Sequence, residues 1–312
     1  MPLKIVFLDA CTMGNVSFAP IEALGTLVCY PDSTRAQALE RISDADVIIT
    51  NKFKIDAEII SAAPRLKLIC VSATGMNNID FTATERAGIP VRNVAGYSTD
   101  SVVQMTFALL MELVCRTAAQ DTYVKDGSYS CSGVFTNTSS PFMELSGKTM
   151  GIIGMGTIGR KVASVAESFG MKVIYYSTSG TSHCKDFPSV SLEQLLRESD
   201  VVSIHAPLND RTRNLVDAPR LALMKPSAFL INIGRGGIVD EAALADAISA
   251  GTIAGAGLDV FVSEPLPQDN PLLHTTHPER LCLTPHIGWA SAEAIGRLVD
   301  GVAANIRTLN RD

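Results

Sequence analysis

The strongest constraint on the fold is a rhythm in the hydrophobic pattern. Short apolar runs, rich in β-branched residues, recur along the chain, with segments of helical spacing such as TRAQALERI (34–42) between them. The first set reads KIVFLDA (4–10), TLVCY (26–30), DVIIT (46–50), LKLICVSA (66–73) and PVRNV (90–94). The second reads TMGIIGMG (149–156), KVIYYS (172–177), VVSIHA (201–206), AFLINI (228–233), AGAGLDV (254–260) and LCLTPH (281–286). A strand without polar alternation is buried on both faces, which calls for helices above and below a parallel sheet. Two such sets predict an α/β protein of two doubly wound parallel-sheet domains, and 312 residues suffice for both. The join is expected within AGYSTDS (95–101). That assigns 1–98 to the first domain and 99–288 to the second, with a final helix within 289–312 returning to the first. Thr99 or Asp100 is expected to cap the next helix, SVVQMTFALLMELVC, whose nearly all-round apolarity predicts burial.

Composition narrows the function classes. A net charge of −6 argues against a nucleic-acid-binding face. No run of about 18 uncharged apolar residues is present, so no membrane span is expected, and the opening LKIVFLDA is not a secretory pattern. The seven cysteines are scattered without a C-x-x-C pair, which reads as small buried hydrophobes in a reducing cytoplasm. No metal-ligand spacing stands out.

The first chemistry-bearing motif is Gly154-Met155-Gly156-Thr157-Ile158-Gly159. A G-x-G-x-x-G is weak alone, but this one follows a strand and opens a helix, the context its physics requires. Gly154 allows the turn, Gly156 lets a pyrophosphate approach the backbone, and Gly159 lets helix and strand pack closely. The helix N-terminus then offers free N–H groups to phosphate. About 20 residues on, where NAD-binding folds carry an acid for the ribose, the chain reads Tyr175-Tyr176-Ser177-Thr178-Ser179. Hydroxyls such as those of Ser177, Thr178 and Ser179 can hydrogen-bond the ribose but do not repel a 2′-phosphate. Nearby, only hydroxyls, His183 and Lys185 offer themselves to that phosphate. The stretch reads as a permissive site that leans to NAD(H) and admits NADP(H).

Three ionisable residues fall at the ends of expected strands: Arg235 in INIGRGGIVD, Glu264 in GLDVFVSEPLP and His286 in LTPHIGWAS. Ligands of open α/β sheets gather beyond the carboxyl ends of the strands. A lone Arg or Glu on a loop is most often a solvated charge, and a lone His most often structural. Their joint placement downstream of a dinucleotide turn favours chemistry. Arg can grip a carboxylate bidentately, His can exchange a proton near neutral pH, and a carboxylate can orient the His. These are the parts needed to deliver a hydride to the carbonyl of a 2-oxo acid.

The segments GIIGMGTIG, ESDVVSIHAPLNDRTRNLV, LMKPSAFLINIGRGGIVDEAAL, AGAGLDVFVSEPLPQDNPLL and LTPHIGWAS, in this order, resemble the D-isomer-specific 2-hydroxyacid dehydrogenase family over essentially the whole chain. IVFLDA, DADVIITNK, LKLICVSATGMNNID, VRNVAGYS and Trp289 make it most similar to the glycerate dehydrogenase (hydroxypyruvate reductase) group. The resemblance implies a flavodoxin-like substrate domain, a Rossmann dinucleotide domain, closure of the two on a small 2-oxo or 2-hydroxy acid, and a homodimer. The 126–147 segment and the apolar helix are the expected dimer contacts. It implies Arg235 on the substrate acid, His286 as acid/base and Glu264 behind it. It also implies backbone around Thr74, Gly75 and Met76 on the substrate carboxylate, with Asn51 and Trp289 lining the pocket. For the cofactor it implies Thr157 and Ile158 at the pyrophosphate, Ala206, Pro207 and Thr212 near the adenosine half, and Ile233 and Gly234 at the nicotinamide. Asp259 and Gly288 are implied at the carboxamide. Many members carry Glu where Gln104 stands, a neutral residue that is cheaper to bury.

Rival readings share the scaffold. Formate dehydrogenases carry Gln where Glu264 stands, which disfavours them. No basic cluster in SATGMNNID awaits a substrate phosphate, which disfavours a phosphoglycerate dehydrogenase. Other 2-oxo acids, such as pyruvate or aromatic ones, stay open. So does a nucleotide-sensing, corepressor-like protein, which can retain Arg, Glu and His without turnover.

Overall fold

The structure, a computed structural model, describes residues 2–139, 141–182 and 184–310. Backbone contacts divide it into two compact units: residues up to Ser98 together with those from Trp289 onward, and Thr99–Gly288.

The first unit holds β1 (Leu3–Phe7), β2 (Gly25–Cys29), β3 (Val47–Thr50), β4 (Leu68–Val71) and β5 (Val91–Arg92). All pair in parallel in the order β2-β1-β3-β4-β5, the flavodoxin-like arrangement. Pleating sends successive side chains to opposite faces. Ile5, Phe7, Val47, Ile49, Leu68 and Cys70 therefore join one core, and Val6, Leu8, Ile48, Ile69 and Val71 the other. The expected C-terminal helix lies at Ala292–Arg307 and buries Leu298, Val299, Val302, Ala303 and Ile306 on the first of these cores.

The second unit holds β6 (Thr149–Ile153), β7 (Lys172–Tyr176), β8 (Val201–Ile204), β9 (Phe229–Asn232), β10 (Gly255–Leu258) and β11 (Leu281–Leu283). Its parallel sheet runs β11-β10-β9-β8-β6-β7. The order reverses beside β6, so the crevice of a doubly wound sheet opens at the carboxyl end of β6. Helix α1 (Thr99–Cys115) covers β9, β10 and β11. It comes close because β10 reads Gly-Ala-Gly-Leu: a Cβ on Gly257 would stand 3.0 Å from Leu109 Cβ, and one on Gly255 3.3 Å from Leu113 Cδ2. The helix buries Val102, Val103, Phe107, Leu109, Leu110, Leu113 and Val114 within its own unit. Gln104 and Ala108 are exposed on one stripe of it. Thr99 and Asp100 sit inside the first turn rather than ahead of it.

Several other helix starts follow local chemistry. Asp56, Asp80, Asp217 and Asp240, with Ser191 and Ser291, each accept from the backbone N–H three residues on. Capping of this kind fixes where each crossover helix begins, and hence how the strand ends are spaced. No single helix among the described residues is long and apolar enough to cross a membrane.

Candidate active site

Because all six strands of the second unit are parallel, their carboxyl ends lie along one edge. There the chain places Gly154 after β6, Ser177 after β7, Ala206 after β8, Ile233–Arg235 after β9, Asp259 after β10 and His286 after β11.

The glycine turn separates into three physical roles. Gly154 has φ +96°, and a Cβ there would sit 2.9 Å from the His205 carbonyl and Ala206 nitrogen. A Cβ on Gly159 would stand 2.3 Å from the Gly154 carbonyl oxygen. Gly156 is different: nothing lies within 4 Å of the place a Cβ would take, and its φ of −83° suits any residue. Neither backbone freedom nor packing inside the protein calls for glycine there. Close approach of a ligand does. Gly156 also opens helix α2 (Thr157–Ser168), whose first amides have no side-chain cap and point their N–H groups where a pyrophosphate would be held. These features fit a dinucleotide.

Beneath the turn, His205 shares a hydrogen bond of 2.8 Å between Nε2 and Ser203 Oγ. Its Nδ1 is sealed from solvent without a partner. Although the residue as a whole is only half-buried, desolvation of the ring nitrogens pushes its pKa down to about 3. His205 is therefore neutral and outside the proton chemistry.

The His286–Glu264 pair is compact. His286 Nδ1 lies 2.7 Å from Glu264 Oε2, while Glu264 Oε1 accepts from Phe261 N at 3.0 Å. A carboxylate at Nδ1 makes that nitrogen the N–H donor and leaves Nε2 for a substrate. Two carboxylates that sequence reasoning did not assign to this task hold the pair in place. Glu241 accepts from Val262 N (2.6 Å) and Asn270 Nδ2 (2.7 Å), tying down the loop that carries Glu264. Asp259, 1% exposed, accepts from Thr284 Oγ1 (2.6 Å), Ile287 N (2.9 Å) and Gly288 N (2.7 Å). It thus clamps the chain on both sides of His286, through the Thr284 hydroxyl before it and two backbone amides after it. Burial pushes the Asp259 carboxyl up, although these three donors pull the other way. Gly288 is also packed: a Cβ there would come within 2.8 Å of Asp259 Oδ2 and of Ile233 Cδ1.

Arg235 stands at the end of β9, half-buried, with Nη1 on the Gly234 carbonyl at 2.8 Å. Its turn is fixed by Asn232, which accepts from Gly234 N (3.1 Å) and donates to Arg235 O (2.9 Å). Asn232, like Glu241 and Asp259, was missed as a support because only the strand register reveals what its side chain reaches. Thr212 is wholly buried. Its hydroxyl donates to Pro207 O (2.7 Å) and accepts from Asn209 N (2.8 Å), so it shapes the 207–213 loop from within.

In the first unit the expected residues also cluster at carboxyl ends of strands. Asn51 follows β3 and is buried at 4% exposure. Its backbone N–H and those of Lys52 and Phe53 all donate to Asp9, a buried carboxylate just after β1. Thr74 follows β4 with its side chain turned to Val94 O at 3.1 Å, and Asn93 Nδ2 donates to Thr74 O at 2.6 Å. Met76 packs on the core and Gly75 lies between. Trp289 packs edge-on to Tyr97, ring centroids 6.4 Å apart. His183 lies outside the described residues, and the site residues named here include no group of three or more His, Cys, Asp or Glu placed to hold a metal ion, nor do the other described residues.

Comparison with known proteins gives one family. Residues 107–288 match the model for the D-isomer specific 2-hydroxyacid dehydrogenase NAD-binding domain. The chain is 35% identical over 311 residues to a hydroxypyruvate reductase of Blautia hydrogenotrophica, covering 97% of this chain and 96% of that one. It is 38% identical over 276 residues to a glycerate dehydrogenase of Methylorubrum extorquens, covering 88% and 85%. Among solved structures, the NADPH-dependent glyoxylate/hydroxypyruvate reductase of Sinorhizobium meliloti, in complex with NADP and malonate, superposes with a TM-score of 0.84 at 27% identity, covering 99% of this chain and 94% of that one.

Proposed function

Since this chain belongs to the D-isomer specific 2-hydroxyacid dehydrogenase family and is an oxidoreductase with an NAD-binding domain, we propose that it reduces a short 2-oxo acid, hydroxypyruvate or glyoxylate, to the D-2-hydroxy acid. The observation that carries this reading is the His286–Glu264 pair, at 2.7 Å, on the same strand-end edge as the Gly154–Gly159 turn.

When bound, the nicotinamide supplies the hydride. Arg235 grips the substrate carboxylate and polarises the carbonyl with its planar fork of donors. His286 Nε2 donates a proton to the carbonyl oxygen, and Glu264 holds Nδ1 so that the imidazolium stays aligned. Reduction takes up a proton and glycerate oxidation releases one, so reduction is favoured at lower pH and oxidation at higher pH. Ile233 and Gly234 would hold the nicotinamide half, Ala206 and Pro207 the adenosine half, and Asp259 with Gly288 the carboxamide. The Thr74–Met76 backbone, with Asn51 and Trp289, serves the substrate.

The relatives' names, hydroxypyruvate reductase and glycerate dehydrogenase, favour these substrates over pyruvate or aromatic 2-oxo acids. The test is NAD(P)H consumption with hydroxypyruvate, glyoxylate, pyruvate and phenylpyruvate. Turnover fastest with the first two supports the proposal. Binding of cofactor without turnover on any 2-oxo acid would instead mark a nucleotide sensor.

A homodimer completes the reading. Val134, Phe135 and Phe142 are exposed in the 126–147 segment, Phe135 at 91%. A monomer pays for such apolar exposure, and a second copy relieves it. Light scattering coupled to size exclusion measures this directly. All seven cysteines are free, which suits a reducing cytoplasm, a placement checked by cell fractionation.

A further inference from the structure

The corner beyond β7 holds a cation that the local sequence did not reveal. Ser177, the first residue after the strand, donates its hydroxyl to Thr181 O at 2.6 Å and lies 3.0 Å from Ser179 Oγ. Ser179 Oγ sits 3.1 Å from the same Thr181 carbonyl. This is a loop organised by hydroxyl donors. A carboxylate at 177 could not donate and would oppose the Thr181 carbonyl. The position at which an acid would hold an unmodified ribose is thus shaped against one.

Arg211 arrives here from the loop after β8. Its Nη1 donates to Ser179 O at 3.2 Å, and the guanidinium passes 3.7 Å from the place a Cβ on Gly180 would take. The backbone that presents it is fixed. Asn209 Oδ1 accepts from Arg211 N at 2.9 Å, and the buried Thr212 hydroxyl ties Asn209 N to Pro207 O. Among the described residues no carboxylate pairs with Arg211, which leaves a solvent-facing fork of donors beside two hydroxyls. The nearer-looking cation in this neighbourhood, Arg160, is engaged elsewhere, with Nη1 3.1 Å from Cys184 Sγ and 3.8 Å from Asp186.

We infer that Arg211, with Ser177 and Ser179, binds the 2′-phosphate of the adenosine ribose, and that the enzyme therefore selects NADP(H) over NAD(H). A guanidinium matches a phosphate bidentately and stays charged at all physiological pH, and hydroxyls complete the oxygen shell. The inference rests on the proposed dinucleotide site at the Gly154 turn and reverses the leaning to NAD(H) drawn from the local sequence.

Calorimetric titration of the purified protein with NADPH and with NADH tests it without recourse to turnover. NADPH is expected to bind at least tenfold more tightly, about 1.4 kcal/mol. Arg211→Ala should lower the NADPH:NADH affinity ratio by about tenfold, Arg211→Lys should recover part of it, and Ser177→Asp should invert it. These positions are exposed or half-exposed, so folding is preserved, and circular dichroism verifies it. Equal affinity for the two cofactors, or a ratio unmoved by Arg211→Ala, overturns the inference and leaves the dinucleotide site standing. Binding of neither cofactor overturns both.

Discussion

Two buried aspartates, one in each unit, do the same structural work for different ends. Asp9 follows β1 and gathers the N–H groups of Asn51, Lys52 and Phe53. Asp259 follows β10 and gathers Thr284 Oγ1, Ile287 N and Gly288 N. Each pins a neighbouring loop at the carboxyl end of a parallel sheet, where backbone amides would otherwise be unsatisfied. The loops differ in what they present. The one at Asp9 offers amide groups and backbone. The one at Asp259 carries His286, with φ +56°, aimed at Glu264. In the proposed mechanism the same clamp serves recognition in one unit and proton transfer in the other, because only the second pins an imidazole, which exchanges protons near neutral pH.

The largest expected effect breaks the contrast at its centre. His286→Ala should lower kcat by about 10²–10⁴-fold, the usual share of general acid–base catalysis, with the melting temperature nearly unchanged. Retention of near-normal turnover by the folded variant would remove His286 from the mechanism.

Next come the clamps. Asp9→Ala and Asp259→Ala each strand several buried donors, so each should cost about 3 kcal/mol in denaturant unfolding. The kinetic outcomes should diverge. Asp259→Ala is expected to lower kcat by roughly 10²-fold through misplacement of His286, whereas Asp9→Ala should appear chiefly in KM. Identical kinetic profiles would erase the distinction between the units.

Acid sensitivity is smaller and belongs to the second unit. His205 has a folded pKa of about 3 against an ordinary 6.5. Between these values the unfolded chain binds the extra proton, so stability rises with pH and is lost as pH falls below about 6.5. The slope is about 1.4 kcal/mol per pH unit, or roughly 2 kcal/mol between pH 6.5 and 5. His205→Asn should flatten chemical denaturation midpoints across that window, and an unchanged slope would put the sensitivity elsewhere.

The smallest effect on stability is the most telling for the glycine turn. Gly156→Ala should change unfolding free energy by less than about 0.5 kcal/mol, since a methyl there meets nothing within 4 Å. Dinucleotide affinity should nevertheless fall by tenfold or more, which calorimetry reads. Gly159→Ala, whose methyl would strike the Gly154 carbonyl at 2.3 Å, should instead fail in stability.

The parallel sheets, the glycine turn and the strand-end positions of Arg235, Glu264 and His286 were legible in the sequence because each rests on local periodicity or short spacing. A continuous apolar run forces two-sided burial, and the residue after such a run falls on the ligand edge whichever helices cover the sheet. The supports were not legible. Asp9 reaches residues 42 to 44 positions away, Glu241 reaches 21 and 29, and Arg211 reaches 32. Those partners follow from strand order and crossover length, which no local pattern encodes. Ser177 illustrates the division. The sequence alone established that the expected ribose acid is missing. Only the tertiary structure decided what stands in its place, because the β8 loop folds Arg211 back beside the end of β7, across a separation that only the parallel register closes.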